Sequence, residues 1–257
     1  MIDAAAAKPF QLDGLYLVTG GTRGIGRAVS VHFARAGARV IAGYLRDEAA
    51  AGELRSLAEQ DGLPILLCRS DLTNARGLAQ MVEAVRAAGG RLAGMVHCAA
   101  TGTHRPLEAL TGRHLDWTMA LNVRALLELV TALLPQFETP ASLLAVSSMG
   151  AVRALPDYAA VAASKGALEA LIRHMAAELA PRDIRANVLR PGPIDTDAWK
   201  SIPEAKARLA DAARRSPLKR LATVDEVALC ARFLCSRAAS AINGQTLTVD
   251  GGASISG

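Results

Sequence analysis

Short apolar runs recur along the chain, among them LYLVT, RVIA, ILLC, GMVHC, SLLAVS, ANVL and TLTV. Each is separated from the next by a longer stretch in which alanine and leucine share positions with charged residues at helical spacing. Runs of this length without strict alternation suit strands buried on both faces, as in a parallel sheet covered by helices. The pattern predicts strands at Leu15–Thr19, Arg39–Ala42, Ile65–Cys68, Gly94–Cys98, Ser142–Ser147, Ala186–Leu189 and Thr246–Val249. Helices are expected near 24–36, 48–60, 74–88, 112–134, 158–180 and 224–236. Alternation of the two implies βαβ units. The expected class is α/β: one Rossmann-like doubly wound domain with a parallel seven-stranded sheet.

Two segments fall outside that rhythm. Residues 1–10, MIDAAAAKPF, read as a flexible N-terminal tail before a domain at 11–257, without the basic start and long apolar core of a secretory signal. From Pro191 to about Thr223, Pro193, Pro203 and Pro217 break any regular pattern, and a long insertion after a strand's carboxyl end suits a substrate lid, here about 193–222. No apolar run approaches the roughly 20 residues of a membrane span.

Composition narrows the function. The 257 residues are 51% hydrophobic and 21% charged, an ordinary globular balance that accommodates one large domain. The net charge of +5 is spread along the chain, and aromatics make up only 4%, too few for a base-stacking surface, so nucleic acid is not expected as a partner. Cys68, Cys98, Cys230 and Cys235 are scattered in apolar surroundings, as reduced core thiols of a cytoplasmic protein would be. No histidine or second cysteine pair completes a metal site around them.

LYLVTGGTRGIGRAV sets Gly20, Gly24 and Gly26 between the first strand and the first helix. Glycines there let the backbone approach a pyrophosphate, whose charge is favoured by free N–H groups at the helix N-terminus. Past the second strand the chain reads IAGYLRD. Tyr44 stands where an acidic residue would grip the ribose of NAD, and Arg46 follows. With Arg23 in the glycine loop, two guanidinium groups are available for a 2′-phosphate, which predicts NADPH.

The Gly-x3-Gly-x-Gly spacing resembles that of the short-chain dehydrogenase/reductase family, and the resemblance runs over nearly the whole chain. Asp71 in SDLTN matches the adenine-contacting Asp. HCAA, His97 to Ala100, stands in place of the family's Asn-Asn-Ala-Gly. Asn122 in LNVRAL matches the structural and catalytic Asn, Ser148 in VSSMG the catalytic Ser, RPGPIDT the segment along the nicotinamide, and GQTLTVDGG the last strand. The resemblance implies cofactor contacts from Gly20, Thr22, Arg23, Gly24, Ile25, Gly26, Tyr44, Arg46, Asp71, Leu72, Cys98, Ala99, Lys165, Pro191, Gly192, Ile194 and Thr196.

The active-site helix departs from the family. Its Tyr and Lys ordinarily stand four apart, and four before Lys165 is Val161; thirteen before Val161 is Ser148, so Ser148 and Lys165 are in register and the usual Tyr is missing. Tyr158, in YAAVAASK, lies seven before Lys165, close to two helical turns, so both can share a face. This Tyr-x6-Lys spacing is similar to that of enoyl-acyl-carrier-protein reductases, most of all the NADPH-dependent type III. The stretches HLDWTMALNVRALLEL, YAAVAASKGALEALIRHMAAEL and GPIDTDAWKSIP share its general pattern.

The resemblance implies reduction of the α,β double bond of an enoyl thioester, linked to acyl carrier protein or coenzyme A, in fatty-acid or polyketide biosynthesis. Tyr158 would polarise the thioester carbonyl and Lys165 hold the ribose, with Ser148 and Asn122 in support. A homotetramer is expected as in most relatives. The basic lid residues Lys206, Arg208, Arg214, Arg215, Lys219 and Arg220 are a solvated face or a dock for an acidic carrier protein. Two other readings remain: a carbonyl or 3-ketoacyl reductase using Tyr158 in an altered pose, and a non-catalytic NADPH-binding protein.

Overall fold

The computed structural model describes residues 10–89, 91–197, 199 and 204–255. Seven strands, β1 (Leu15–Thr19), β2 (Arg39–Tyr44), β3 (Ile65–Arg69), β4 (Leu92–His97), β5 (Phe137–Val146), β6 (Ile184–Pro191) and β7 (Thr246–Val249), form one parallel sheet. Their order is β3-β2-β1-β4-β5-β6-β7. The order reverses between β1 and β4, which opens a crevice at the carboxyl ends of those strands, the place where such sheets receive ligands.

Alternate residues of each strand feed two cores, as the two-residue side-chain period requires. Leu15, Leu17, Met95, Leu143 and Val188 pack on one face against Leu126, Leu129, Leu168 and Ile172. Tyr16, Val18, Val96, Leu144 and Leu189 pack on the other against Val29, Phe33, Val227 and Leu234. The covering helices are α1 (Gly24–Arg35), α2 (Glu48–Asp61), α3 (Ala75–Ala87), α4 (Gly112–Met119), α5 (Ala125–Leu133), α6 (Ala159–Leu179), α7 (Ala205–Arg215) and α8 (Val224–Cys235).

Three differences from the expected pattern bear on the site. The helix expected at 112–134 is broken into α4 and α5 by a π-helical segment, Ala120–Arg124, which carries Asn122. By length and mean hydropathy, 1.4, the run Gly112–Gln136 is apolar enough to cross a membrane, contrary to the expectation that no run approached that limit. Its Ala125, Leu126, Leu129, Val130 and Leu133 lie buried in the core instead. The lid is not wholly irregular: Ala205–Arg215 forms α7, anchored by Leu209, its one buried residue. Residues 198, 200–203 and 1–9 of the expected lid and tail lie outside the described residues; Phe10 stands edge-on to Phe233, ring centroids 6.2 Å apart.

Candidate active site

The glycine turn leaves β1 and enters α1 with no capping side chain at Arg23 and no acidic residue in the first helical turn. Free N–H groups therefore point into the crevice, a site that favours an anion. Gly24 has φ +51, and a Cβ there would meet nothing nearer than the Thr196 methyl at 3.6 Å. The turn thus stands close to the segment after β6, with room for no more than a methyl group between Gly24 and Thr196, so only a glycine leaves the backbone bare on that side. Thr22 is buried inside the turn, and Ile25 packs beneath it on the α1 core. Thr19 joins the turn to β4: its hydroxyl accepts from the Ala99 N–H at 3.1 Å and meets His97 Nδ1 at 3.0 Å.

That pairing explains the HCAA variant. His97 is fully buried, its Nε2 facing the carbonyls of Leu121 and Asn122 in the π-helical segment without closing a hydrogen bond. Burial, with Lys165 nearby, pulls its pKa down to about 3. His97 is a neutral spacer between the glycine turn and the broken helix. The Cys98 thiol is pushed up to about 12, chiefly by burial, so it stays protonated.

The far end of the crevice is a cleft of about 360 Å³ lined by Leu45, Arg69, Ser70, Asp71, Asn74, Arg76, Gly77 and Gln80. Asp71 Oδ1 accepts from the N–H and hydroxyl of Thr73, which with nearby Arg46 holds its carboxyl below the ordinary range. Leu72 is buried at its edge. Arg46 is exposed at the tip of β2, and Arg23 lies 3.8 Å from Asp47. Asp47 is held as the cap of α2, accepting from Ala50 N at 3.0 Å. Tyr44 donates to Glu48 at 3.0 Å. These groups, with Pro191, Gly192, Ile194 and Thr196 at the end of β6, could hold a dinucleotide, and the uncapped, acid-free N-terminus of α1 fits its phosphates.

At the other end, α6 begins immediately after Tyr158, which is its N-cap and not a residue of its first turn. The Cδ1–Cε1 edge of the ring abuts Gly150: a Cβ there would stand 2.5 Å from both Cδ1 and Cε1 of Tyr158. His104 closes over it from the loop after β4, centroids 5.3 Å apart. The Tyr158 hydroxyl donates to Ser148 Oγ at 3.1 Å, and that oxygen also accepts from Gly150 N at 3.3 Å. Burial raises the Tyr158 pKa, with the Ser148 bond opposing, so the phenol keeps its proton and acts as a donor.

Val161 is buried against Gly102, whose hypothetical Cβ would fall 2.1 Å from Val161 Cγ2. The 101–102 backbone thus fills the space beside the usual Tyr position. Asn122 fixes that backbone, accepting from Thr101 N and donating to Thr101 O, both at 2.9 Å, and also donates to Ser164 Oγ at 2.9 Å. Lys165 is 5% exposed and donates to Val146 O at 2.8 Å. Burial lowers its pKa to about 8, against the opposing pull of Cys98 and Glu169.

The structure therefore gathers Tyr158, Ser148, Lys165 and Asn122 around the carboxyl ends of β4 and β5, as their spacing suggested. Sequence reading missed Gly150, Gly102 and His104. The two glycines gave no signal because their neighbours come from distant segments, whereas His97 was visible as a departure from the family motif.

A family model described as "Enoyl-(Acyl carrier protein) reductase" matches residues 20–254. The chain is 33% identical to 1-cyclohexenylcarbonyl-CoA reductase of Streptomyces collinus, over 93% of this chain and 86% of that protein. It is 32% identical to 7alpha-hydroxysteroid dehydrogenase of Escherichia coli (strain K12), over 94% and 95%. A gluconate 5-dehydrogenase from Burkholderia cenocepacia J2315, crystallised with NADP and tartrate, superposes with a TM-score of 0.89 at 29% identity, over 98% of this chain and all of that one, 100%.

Proposed function

The chain belongs to the short-chain dehydrogenase/reductase family and is an oxidoreductase of that family, and we propose that it uses NADPH to reduce the α,β double bond of an enoyl thioester. One observation carries the reading: the only phenol in the site, Tyr158, is seated on Gly150 and bonded to Ser148, while Val161 is walled in by Gly102. A ketoreductase needs its donor at the oxygen of the carbon that is reduced. In an enoyl thioester the charge gathers on an oxygen three bonds from the reduced carbon, two atoms further off than in a ketone, so a hydroxyl displaced along the site meets it. The Streptomyces relative is named for a substrate with that conjugated thioester.

NADPH, when bound, supplies the hydride. The chain's own residues do the rest. Tyr158 donates to the carbonyl oxygen, and Ser148 fixes the direction of that phenol. Such a donor, aimed where charge develops, is typically worth ~10²–10³ in turnover. Protonated Lys165 lies between the carboxyl ends of β4 and β5, where it would hold the ribose and favour negative charge nearby. Asn122 keeps Thr101 and Ser164 in place around it. Arg23 and Arg46 would take the 2′-phosphate, which is the basis for choosing NADPH over NADH.

The basic lid is less free than its sequence suggested. Arg208 pairs with Asp157 at 3.6 Å, Arg214 and Arg215 with Asp211, and Arg220 with Glu226 at 2.7 Å. Three carboxylates pair with four of the six cations, so the face stays net positive and could still meet an acidic carrier protein or the phosphates of coenzyme A; a coenzyme A thioester is the simpler substrate for assay. Four free thiols support a cytoplasmic setting. Exposed Leu115 and Trp117 on α4 and Leu127 on α5 support assembly, proposed as a homotetramer.

The test is NADPH oxidation with crotonyl-coenzyme A and with acetoacetyl-coenzyme A. Turnover of the first alone is expected. Turnover of the second alone would make the chain a carbonyl reductase, and turnover of neither, with tight NADPH binding, a binding protein.

A further inference from the structure

One buried carboxylate in the molecule is absorbed by none of the roles above. Glu169 lies on α6 one turn beyond Lys165, its side chain 6% exposed. It accepts from Ser147 Oγ at 2.6 Å on Oε1, from Arg190 Nε at 2.9 Å on the same oxygen, and from Arg190 on Oε2 at 2.5 Å. Its partners are not random: Ser147 precedes Ser148 at the end of β5, and Arg190 precedes Pro191 at the end of β6. A single carboxylate therefore ties together the helix that carries Lys165, the strand end that carries Ser148 and the strand end that leads into the segment facing the glycine turn.

We infer that Glu169, held by Arg190 and Ser147, is a positioning residue that fixes these three segments in register and sets the charge environment of Lys165. The fork-to-fork pairing with Arg190 gives direction as well as charge, since a guanidinium presents two parallel donors to a carboxylate. A buried pair of this kind would be replaceable by apolar packing if it served stability alone. Its place at the junction of the three site-bearing segments gives it a further use. The groups facing Lys165 are Cys98 and His97 from the end of β4, both electrically neutral at pH 7, and Glu169 from its own helix; Arg190 reaches the same carboxylate from β6. The Glu169–Arg190 pair is thus the only full charge pair beside the Lys165 ammonium among the described residues that these interactions connect.

The inference rests on Lys165 as the cofactor-side cation and is independent of the acyl substrate, so it is tested without one. The Lys165 ε-methylene is followed by ¹³C NMR against pH in the protein free of NADPH. Glu169→Gln removes the negative charge and leaves Arg190 uncompensated, and the Lys165 midpoint is expected to fall by about 1 pH unit. Arg190→Gln leaves the carboxylate uncompensated, and the midpoint is expected to rise. A merely structural tie would not move the two variants in opposite directions. Equal midpoints in the native protein and both variants, or shifts of the same sign, would overturn the assignment. Either single variant leaves one buried charge unpaired, so the double variant Glu169→Gln/Arg190→Gln guards against misfolding. It is expected to unfold cooperatively, to return the midpoint close to the native one, and to bind NADPH about ten-fold more weakly, because neutral amides hold the three segments less firmly. Native NADPH affinity in that variant would also overturn the proposal.

Discussion

Replacing Gly150 by Ala places a single methyl group against the Cδ1–Cε1 edge of Tyr158. Gly150 has no positive φ, so its backbone accepts alanine and only space is at issue. The new Cβ would stand 2.5 Å from Cδ1 and Cε1, whereas carbon atoms rest at about 3.5 Å. The ring must move by about 1 Å, and His104, packed against it, restricts where it can go. The Tyr158–Ser148 bond, 3.1 Å long, then stretches beyond hydrogen-bonding reach. A donor misplaced by that much lowers kcat by about 10²-fold. The KM for NADPH should stay near native, since the glycine turn and Lys165 are untouched. Overpacking costs about 1–3 kcal/mol, a fall of several degrees in Tm. The assay is steady-state reduction of crotonyl-coenzyme A alongside Tyr158→Phe. If Gly150→Ala keeps kcat within about two-fold of native while Tyr158→Phe loses about 10², the seating of Tyr158 on Gly150 does not matter and the reasoning fails.

Three further outcomes follow from the same geometry. Val161→Tyr should not create a ketoreductase, because the backbone at Gly102, pinned by Asn122, occupies the space the ring requires; new turnover of acetoacetyl-coenzyme A would contradict this. His97 is held neutral with a pKa near 3 against an ordinary 6.5, so the unfolded chain binds its proton more readily. Its contribution is complete above pH 6.5 and is lost as pH falls towards 3, at about 1.4 kcal/mol per pH unit. Urea unfolding at pH 7 and pH 5 should show that slope, shallower in His97→Asn; equal slopes would refute it. Neutralising Arg23 and Arg46 together should raise the KM for NADPH at least about ten-fold and leave that for NADH nearly unchanged, given guanidinium recognition of the 2′-phosphate; parallel changes would remove the basis for the cofactor assignment.

The sheet was legible because its apolar runs are short, bounded by Gly, Pro and Asp, and spaced by helical segments, and each of the seven expected strands overlaps an observed one. Tyr158 was legible by counting, since Lys165 and Ser148 fix a register that Val161 fails to fill. What escaped is what depends on distant segments meeting. The break at Ala120–Arg124 has no Pro or Gly to announce it; its Asn122 instead bonds to Thr101 and Ser164. Helix α7 was hidden by flanking prolines although AKARLADAARR is rich in good helix formers. The lid arginines read as a basic face because Asp157 reaches Arg208 only after folding, and because the i,i+3 and i,i+4 pairs of Asp211 with Arg214 and Arg215 become visible only once α7 is recognised as a helix.

The displaced phenol is tested most directly by competition. The protein is given crotonyl-coenzyme A and acetoacetyl-coenzyme A in equal amounts, with NADPH deuterated at C4 of the nicotinamide, and the products are resolved by mass spectrometry. Deuterium in butyryl-coenzyme A, at the β-carbon, is the expected result. Deuterium in 3-hydroxybutyryl-coenzyme A, with crotonyl-coenzyme A recovered unchanged, would show that Tyr158 serves carbonyl reduction from its displaced position and would contradict the account.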